Sequence, residues 1–145
     1  MFRHILIATD GSDLAAKGLD TGLGLGHELK AKVTIVTARE PWQAAVGDAA
    51  LAFSFPVEEY DRAAAENAEH MLAAAAAVAK QKGVACETVH ANGFPAEAII
   101  ETAKAKGCDL IVMSSHGRRG LRRLLLGSQA SQVVALSTIP VLVCR

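Results

Sequence analysis

The stretch Leu110-Ile111-Val112-Met113-Ser114-Ser115-His116-Gly117-Arg118-Arg119-Gly120, continued by Gly127-Ser128 and Gln129-Ala130-Ser131-Gln132-Val133-Val134-Ala135-Leu136, decides how the rest of the chain is read. Leu110 to Met113 is an unbroken apolar run, the pattern of a strand buried on both faces. Gln129 to Leu136 reads as a helix. Between them lie three glycines, four arginines and several hydroxyls, and no carboxylate. A flexible, cationic loop leading from a strand into a helix N-terminus brings backbone N–H groups and positive charge to one point, which is the arrangement that holds phosphate.

Working outward, the same strand-to-helix step recurs. Ile5-Leu6-Ile7-Ala8 is a short buried strand, ended by Thr9-Asp10-Gly11-Ser12, with Ser12 or Asp13 as cap of a helix running to about Lys30. Lys32 to Ala38 is a second strand. Glu40 to Pro56 has no clear period and reads as a long excursion, and loops of this length are usually functional or disordered. A long helix follows from Val57 to Lys82, with Tyr60, Ala64, Ala68, Met71, Leu72, Ala75 and Val78 as its apolar stripe and Gly83 as its stop. Ala85 to Ala91 is a third strand, polar enough to suggest a sheet edge. Asn92-Gly93 turns the chain, and a helix from Pro95 to Lys106 ends at Gly107. Asp109 to Met113 is the fourth strand and Ile139 to Cys144 the fifth, with Pro140 near its start, where a missing donor is tolerated.

Strict alternation of strand and helix predicts a single α/β domain over 1–145, a doubly wound parallel sheet with helices on both faces. In such sheets ligands bind beyond the carboxyl ends of the strands, where the winding reverses. If the first and fourth strands are neighbours, the loop at 10–13 and the loop at 114–127 meet there.

The totals agree with one globular domain: 145 residues, 51% hydrophobic and 21% charged. Net charge is +0 but unevenly placed. Glu40 to Glu69 holds seven acids and one base, whereas Leu110 to the end holds five arginines and no acid. That polarity points the C-terminal quarter at an anion, or makes it a solvated basic rim. Nucleic acid is not expected, because the basic cluster lacks interleaved aromatics. Cys86, Cys108 and Cys144 have no metal-like or redox spacing, so a reduced, cytoplasmic compartment is expected. The N-terminal apolar run is too short for a signal peptide, and no stretch is long enough to span a membrane.

Gly18, Gly22 and Gly26 repeat at four-residue spacing along the first helix. Each interior glycine costs roughly 0.8–1 kcal/mol against alanine, so close packing of that face on the sheet is the expected compensation. Gly22-x-Gly24-x-Gly26 has the wrong spacing and position for a dinucleotide fingerprint.

Ile-Leu-Ile-Ala-Thr-Asp-Gly-Ser at 5–12, Ser-His-Gly-Arg-Arg-Gly at 115–120, Leu-Leu-Leu-Gly-Ser at 124–128 and Ile-Pro-Val-Leu-Val at 139–143 together resemble the universal stress protein family, in order and over the whole chain. The resemblance implies strand order 3-2-1-4-5, a cytoplasmic homodimer paired through the last strand, Ile139 to Cys144, and, for one branch, ATP binding, to which Mg2+ is the expected companion ion. That branch carries Gly-x2-Gly-x9-Gly-Ser/Thr. Gly117 and Gly127-Ser128 fit the pattern, whereas its first glycine falls on Ser114. The departure matters if the backbone there needs a positive φ, which serine accommodates poorly, and matters little if Ser114 is extended.

The implied nucleotide site comprises Thr9, Asp10, Thr37, Ala38, Met113, Ser114, His116, Gly117, Arg118, Gly127, Ser128 and Gln129. Gly117, Gly127 and nearby amides would cradle phosphates, with Ser128 donating a hydroxyl or serving only as a helix cap. Arg118 is the nearest cation. Asp10 would bond ribose or hold a divalent metal, or simply close an Asx-turn. Thr9, Thr37 and Ala38 would lie along adenine and ribose, and Met113 would pack on the base or in the core. His116 has no orienting carboxylate beside it in sequence, so efficient hydrolysis is not expected. Three functions follow: a dimeric ATP-binding stress sensor, a dimeric stress protein acting only through protein contacts, and a slow ATPase.

Overall fold

The computed structural model describes residues 1–39, 57–116 and 125–145. The elements are β1 (His4–Ala8), α1 (Asp13–Leu29), β2 (Lys32–Arg39), α2 (Val57–Gln81), β3 (Cys86–Asn92), α3 (Pro95–Lys106), β4 (Leu110–Ser114), α4 (Ser128–Leu136) and β5 (Val141–Cys144). They form a five-stranded parallel sheet in the order β3-β2-β1-β4-β5, with helices on both faces. The order implied by the family resemblance is therefore the observed one. The expected excursion at 40–56 and most of the arginine loop, 117–124, lie outside the described residues.

The central strands read as continuous apolar runs because both their faces are covered. Ile5, Leu6, Ile7, Ile111 and Val112 are fully buried. Alternate residues divide between two cores. Ile5, Ile7, Ile35 and Val112 pack with Leu19, Leu23 of α1 and Leu72, Ala75, Ala79 of α2. Leu6, Val36, Ile111 and Met113 pack with Ile99, Ile100, Ala103 of α3 and Ala130, Val133 of α4. β3, polar as a sheet edge should be, sits at one edge.

The glycine stripe of α1 lies against the sheet. A Cβ on Gly18 would approach the Ser114 nitrogen to 3.2 Å, one on Gly22 would meet Ile7 Cδ1 at 2.6 Å, and one on Gly26 would meet Val33 Cγ2 at 2.6 Å. Gly24, off that stripe, faces nothing within 4 Å. Ser12 is the N-cap, its Oγ accepting from the Ala15 N–H at 3.1 Å. The helix ends one residue before Lys30, which takes the left-handed conformation at φ 52°.

Several boundaries shift by a residue or two. β4 runs one residue further than the apolar run, into Ser114, because the ladder with β5 continues to Ser114↔Cys144. β5 begins at Val141 rather than Ile139, since Pro140 has no N–H to pair, although its carbonyl accepts from Ile111 N at 2.9 Å. The stripe of α2 is split. Its later half, Leu72, Ala75 and Ala79, is core, whereas Tyr60, Ala64 and Met71 are only half-buried, because they roof a cavity.

Candidate functional site

β1 pairs with β2 on one side and β4 on the other, so the winding reverses between β1 and β4. A cavity of about 490 Å3 opens at the carboxyl ends of these strands, within the range of small-molecule sites. Its floor is Ala8, Thr9 and Asp10 after β1, Thr37, Ala38 and Arg39 of β2, His90 of β3, and Met113 to His116. Its roof is the first half of α2, and its far wall is Gly127 to Ala130 at the start of α4. Ten of the twelve residues expected from sequence line it, namely Thr9, Asp10, Thr37, Ala38, Met113, Ser114, His116, Gly127, Ser128 and Gln129. The other two, Gly117 and Arg118, fall outside the described residues.

Ser114 is the last residue of β4, in an extended ladder position and almost fully buried. Among the described residues Lys30 alone has a positive φ without being glycine, so position 114 does not call for one. Its Oγ donates to the His116 carbonyl at 2.8 Å and pins the first turn of the loop. Ser115 Oγ lies 3.1 Å from His116 Nδ1, and the Ser115 carbonyl accepts from Gly127 N at 2.7 Å. The two ends of the loop are thus clasped by backbone. A Cβ on Gly127 would come within 2.9 Å of that carbonyl oxygen and 3.3 Å of His116 Cα, so only glycine allows the approach.

Gly127, not Ser128, is the N-cap of α4, and it supplies no side-chain capping bond. The first turn carries no acid. Helix N-terminal N–H groups have no intrahelical partners and sit at the positive end of the helix dipole, about half a charge. The residues of this first turn, Ser128 to Ala130, line the cavity, where an anion is favoured. Gln129 is partly committed: its Oε1 accepts from Ala96 N at 3.1 Å, capping α3, whose own N-cap Phe94 has no capping side chain.

Around β1, Asp10 Oδ1 accepts from Ser12 N at 2.9 Å and Thr9 Oγ1 from Gly11 N at 3.2 Å. The Asx-turn is therefore made, and it holds Asp10 at the cavity rim. Asp10 is the one carboxylate lining the cavity among the described residues, and no group of three metal-ligating side chains occurs among them. A single carboxylate suffices for Mg2+ only when phosphate oxygens and waters complete the shell.

The opposite end has chemistry that the sequence reading did not single out. Arg39 reaches across from β2 to Asp61 Oδ1 at 3.0 Å and to Asn92 Oδ1 at 3.1 Å, with its guanidinium 6.0 Å from the Tyr60 ring centre. His90, the strand partner of Thr37, lines the cavity, and its Nε2 is buried with no hydrogen-bond partner among the described residues. Burial and the Arg39 charge hold its imidazole below the ordinary value, against an upward pull from Glu69. Arg39 and His90 were legible by one rule, the carboxyl end of each parallel strand, applied to β2 and β3 as it was to β1 and β4. The cysteines stay outside this chemistry: burial and the nearby Asp109 push the Cys108 thiol up to about 11.

The sequence model of the universal stress protein family matches residues 1–145, and the chain belongs to that family. It is 36% identical over 148 residues to the universal stress protein YxiE of Bacillus subtilis, covering 100% of both chains. Among solved structures it is similar to the hypothetical protein MJ0577, a universal stress protein of Methanocaldococcus jannaschii, with a TM-score of 0.84, 26% identity, and coverage of 99% of this chain and 96% of that one. A universal stress protein solved in complex with cAMP has the same fold at a TM-score of 0.70 and 24% identity, over 99% of this chain and 97% of that one. No helix among the described residues is long and apolar enough to cross a membrane.

Proposed function

We propose that this protein binds ATP, with Mg2+, in the cavity at the carboxyl ends of β1 and β4, and acts as a dimeric stress-response regulator. The observation that carries this reading is the start of α4: uncapped N–H groups and the Ser128 hydroxyl at one wall of a cavity large enough for a nucleotide. Thr9, Asp10, Thr37 and Ala38 supply the polar and backbone groups for ribose and base, and Asp10 stands where a phosphate-bound Mg2+ could take one carboxylate. A relative of the same fold taking cAMP supports an adenine nucleotide as the ligand class.

Binding rather than turnover is the activity. The cavity's one described carboxylate already accepts the Ser12 N–H, and among the described residues the partner of His116 Nδ1 is Ser115 Oγ, not an acid. The dimer is proposed to pair through β5, an edge strand whose Leu142 is exposed. Calorimetry with ATP and Mg2+, backed by a native mass spectrum of the purified protein, tests the site. Saturable heat and a retained nucleotide mass are expected. No heat and no thermal shift at saturating ATP would leave the alternative, a stress protein acting by protein contacts alone.

A further inference from the structure

Two helices start side by side at this cavity. Ala96 of α3 and Ala130 of α4 are buried in one core, and Pro95, Gln129 and Ala130 line the cavity. Neither helix has a side-chain cap of its own, because the N-cap positions are Phe94 and Gly127. Pro95 has no N–H, so the first N–H of α3 that needs a partner is that of Ala96. It finds Gln129 Oε1 at 3.1 Å, on the first turn of α4. One side chain thus ties the two helix starts together.

Residue 129 therefore meets two demands. It must accept a hydrogen bond for α3, and it stands in the first turn of the helix whose N–H groups favour an anion. A carboxylate would meet the first demand better, since an ionised acceptor makes the stronger bond to an N–H. The first turns of α1, α2 and α3 do carry acids, Asp13, Glu58, Glu59 and Glu97, whereas that of α4 carries none. A carboxylate at 129 would put a negative charge on the cavity wall and repel an anion there. Glutamine has the shape of glutamate, keeps the acceptor and carries no charge. We infer that Gln129 sets the charge preference of this site: it caps α3 with a neutral amide, so that the wall formed by the start of α4 favours ligands with more phosphates. This role rests on the nucleotide reading above and adds to it the residue that makes the site prefer ATP to AMP and adenosine.

The test measures the affinities of adenosine, AMP and ATP at neutral pH, by calorimetry, for the full chain and two variants, with the thermal midpoint of each free protein. In the unmodified protein affinity is expected to rise from adenosine to AMP to ATP. Gln129→Glu keeps an acceptor for the Ala96 N–H, so its midpoint is expected to hold. Its ATP affinity is expected to fall about 10-fold or more through charge repulsion, with adenosine affinity little changed. Gln129→Met is uncharged and has no comparable acceptor, so the Ala96 N–H loses its partner. Its midpoint is expected to fall by a few degrees, and its preference for ATP over adenosine to exceed that of Gln129→Glu. A merely structural role for residue 129 would not move the ligand preference in a variant of unchanged midpoint. An unchanged ATP-to-adenosine ratio in Gln129→Glu, or a parallel loss for all three ligands, overturns the role of Gln129 and leaves the nucleotide site standing. Equal affinity of the unmodified protein for adenosine and ATP does the same. If the unmodified protein binds none of the three, both readings fall together.

Discussion

Ser114 stands where the family's ATP-binding pattern has its first glycine, and its backbone there needs no positive φ. The residue is extended, ends a strand ladder, and uses its hydroxyl to hold the His116 carbonyl. A glycine there would add freedom to the unfolded chain and remove that bond. Ser114→Gly is therefore expected to lower stability by about 1–2 kcal/mol and to leave ATP affinity no better than before. Urea unfolding and calorimetry measure the two effects, and tighter ATP binding in the glycine variant would mean that the site does demand a positive φ. Gly127 is the contrasting case, because the Ser115 carbonyl occupies the space a Cβ would need. The sequence identified both positions, but the opposite demands on them depend on where the loop's two ends meet.

Within the elements, the glycines of α1 separate helix propensity from packing. Gly22 lies under Ile7 and Val112, in the centre of the first core, whereas Gly24 faces open space two residues along the same helix. Alanine at either position improves helix propensity by about 0.8–1 kcal/mol. At Gly22 the added methyl must displace a fully buried isoleucine, and overpacking of this kind costs about 1–3 kcal/mol. Gly22→Ala is expected to lower the thermal midpoint and Gly24→Ala to raise it. Stabilisation by both would refute the close-packed face. The four-residue spacing made this stripe visible without coordinates. The split role of α2 was not visible, because Tyr60 and Met71 obey the same period as Leu72 and Ala75. Periodicity reports which side of a helix is covered, and it is silent on whether the cover is core or ligand cavity.

For the molecule as a whole, the sheet leaves two edges, β3 and β5, and treats them differently. β3 carries Glu87, Thr88 and His90, with Glu87 engaged by Lys106. β5 is short and apolar, with Leu142 exposed, and Val134 and Leu136 of α4 are exposed as well. An edge of that kind invites a second strand, whereas charge on an edge discourages it. Leu142→Lys is expected to turn a dimer into a folded monomer, read by sedimentation velocity together with an unchanged circular dichroism spectrum. A monomeric mass for the unmodified protein at high concentration would remove the β5 dimer from consideration.

Alternation of buried runs and amphipathic stretches was enough to determine a parallel, doubly wound sheet, because each element's period states which of its faces must be covered. Motif spacing was enough to nominate Gly127, Ser128, Asp10 and their neighbours, since a phosphate cradle needs glycine and a helix start close together in the chain. Only the tertiary structure decided that Ser114 is extended and that His90, Arg39 and Tyr60 close the far end of the same cavity as Asp10 and Ser128. These residues are far apart in sequence, and what unites them is the common level at which parallel strands end. That level is fixed by ladder register and helix packing between elements, not by any local pattern.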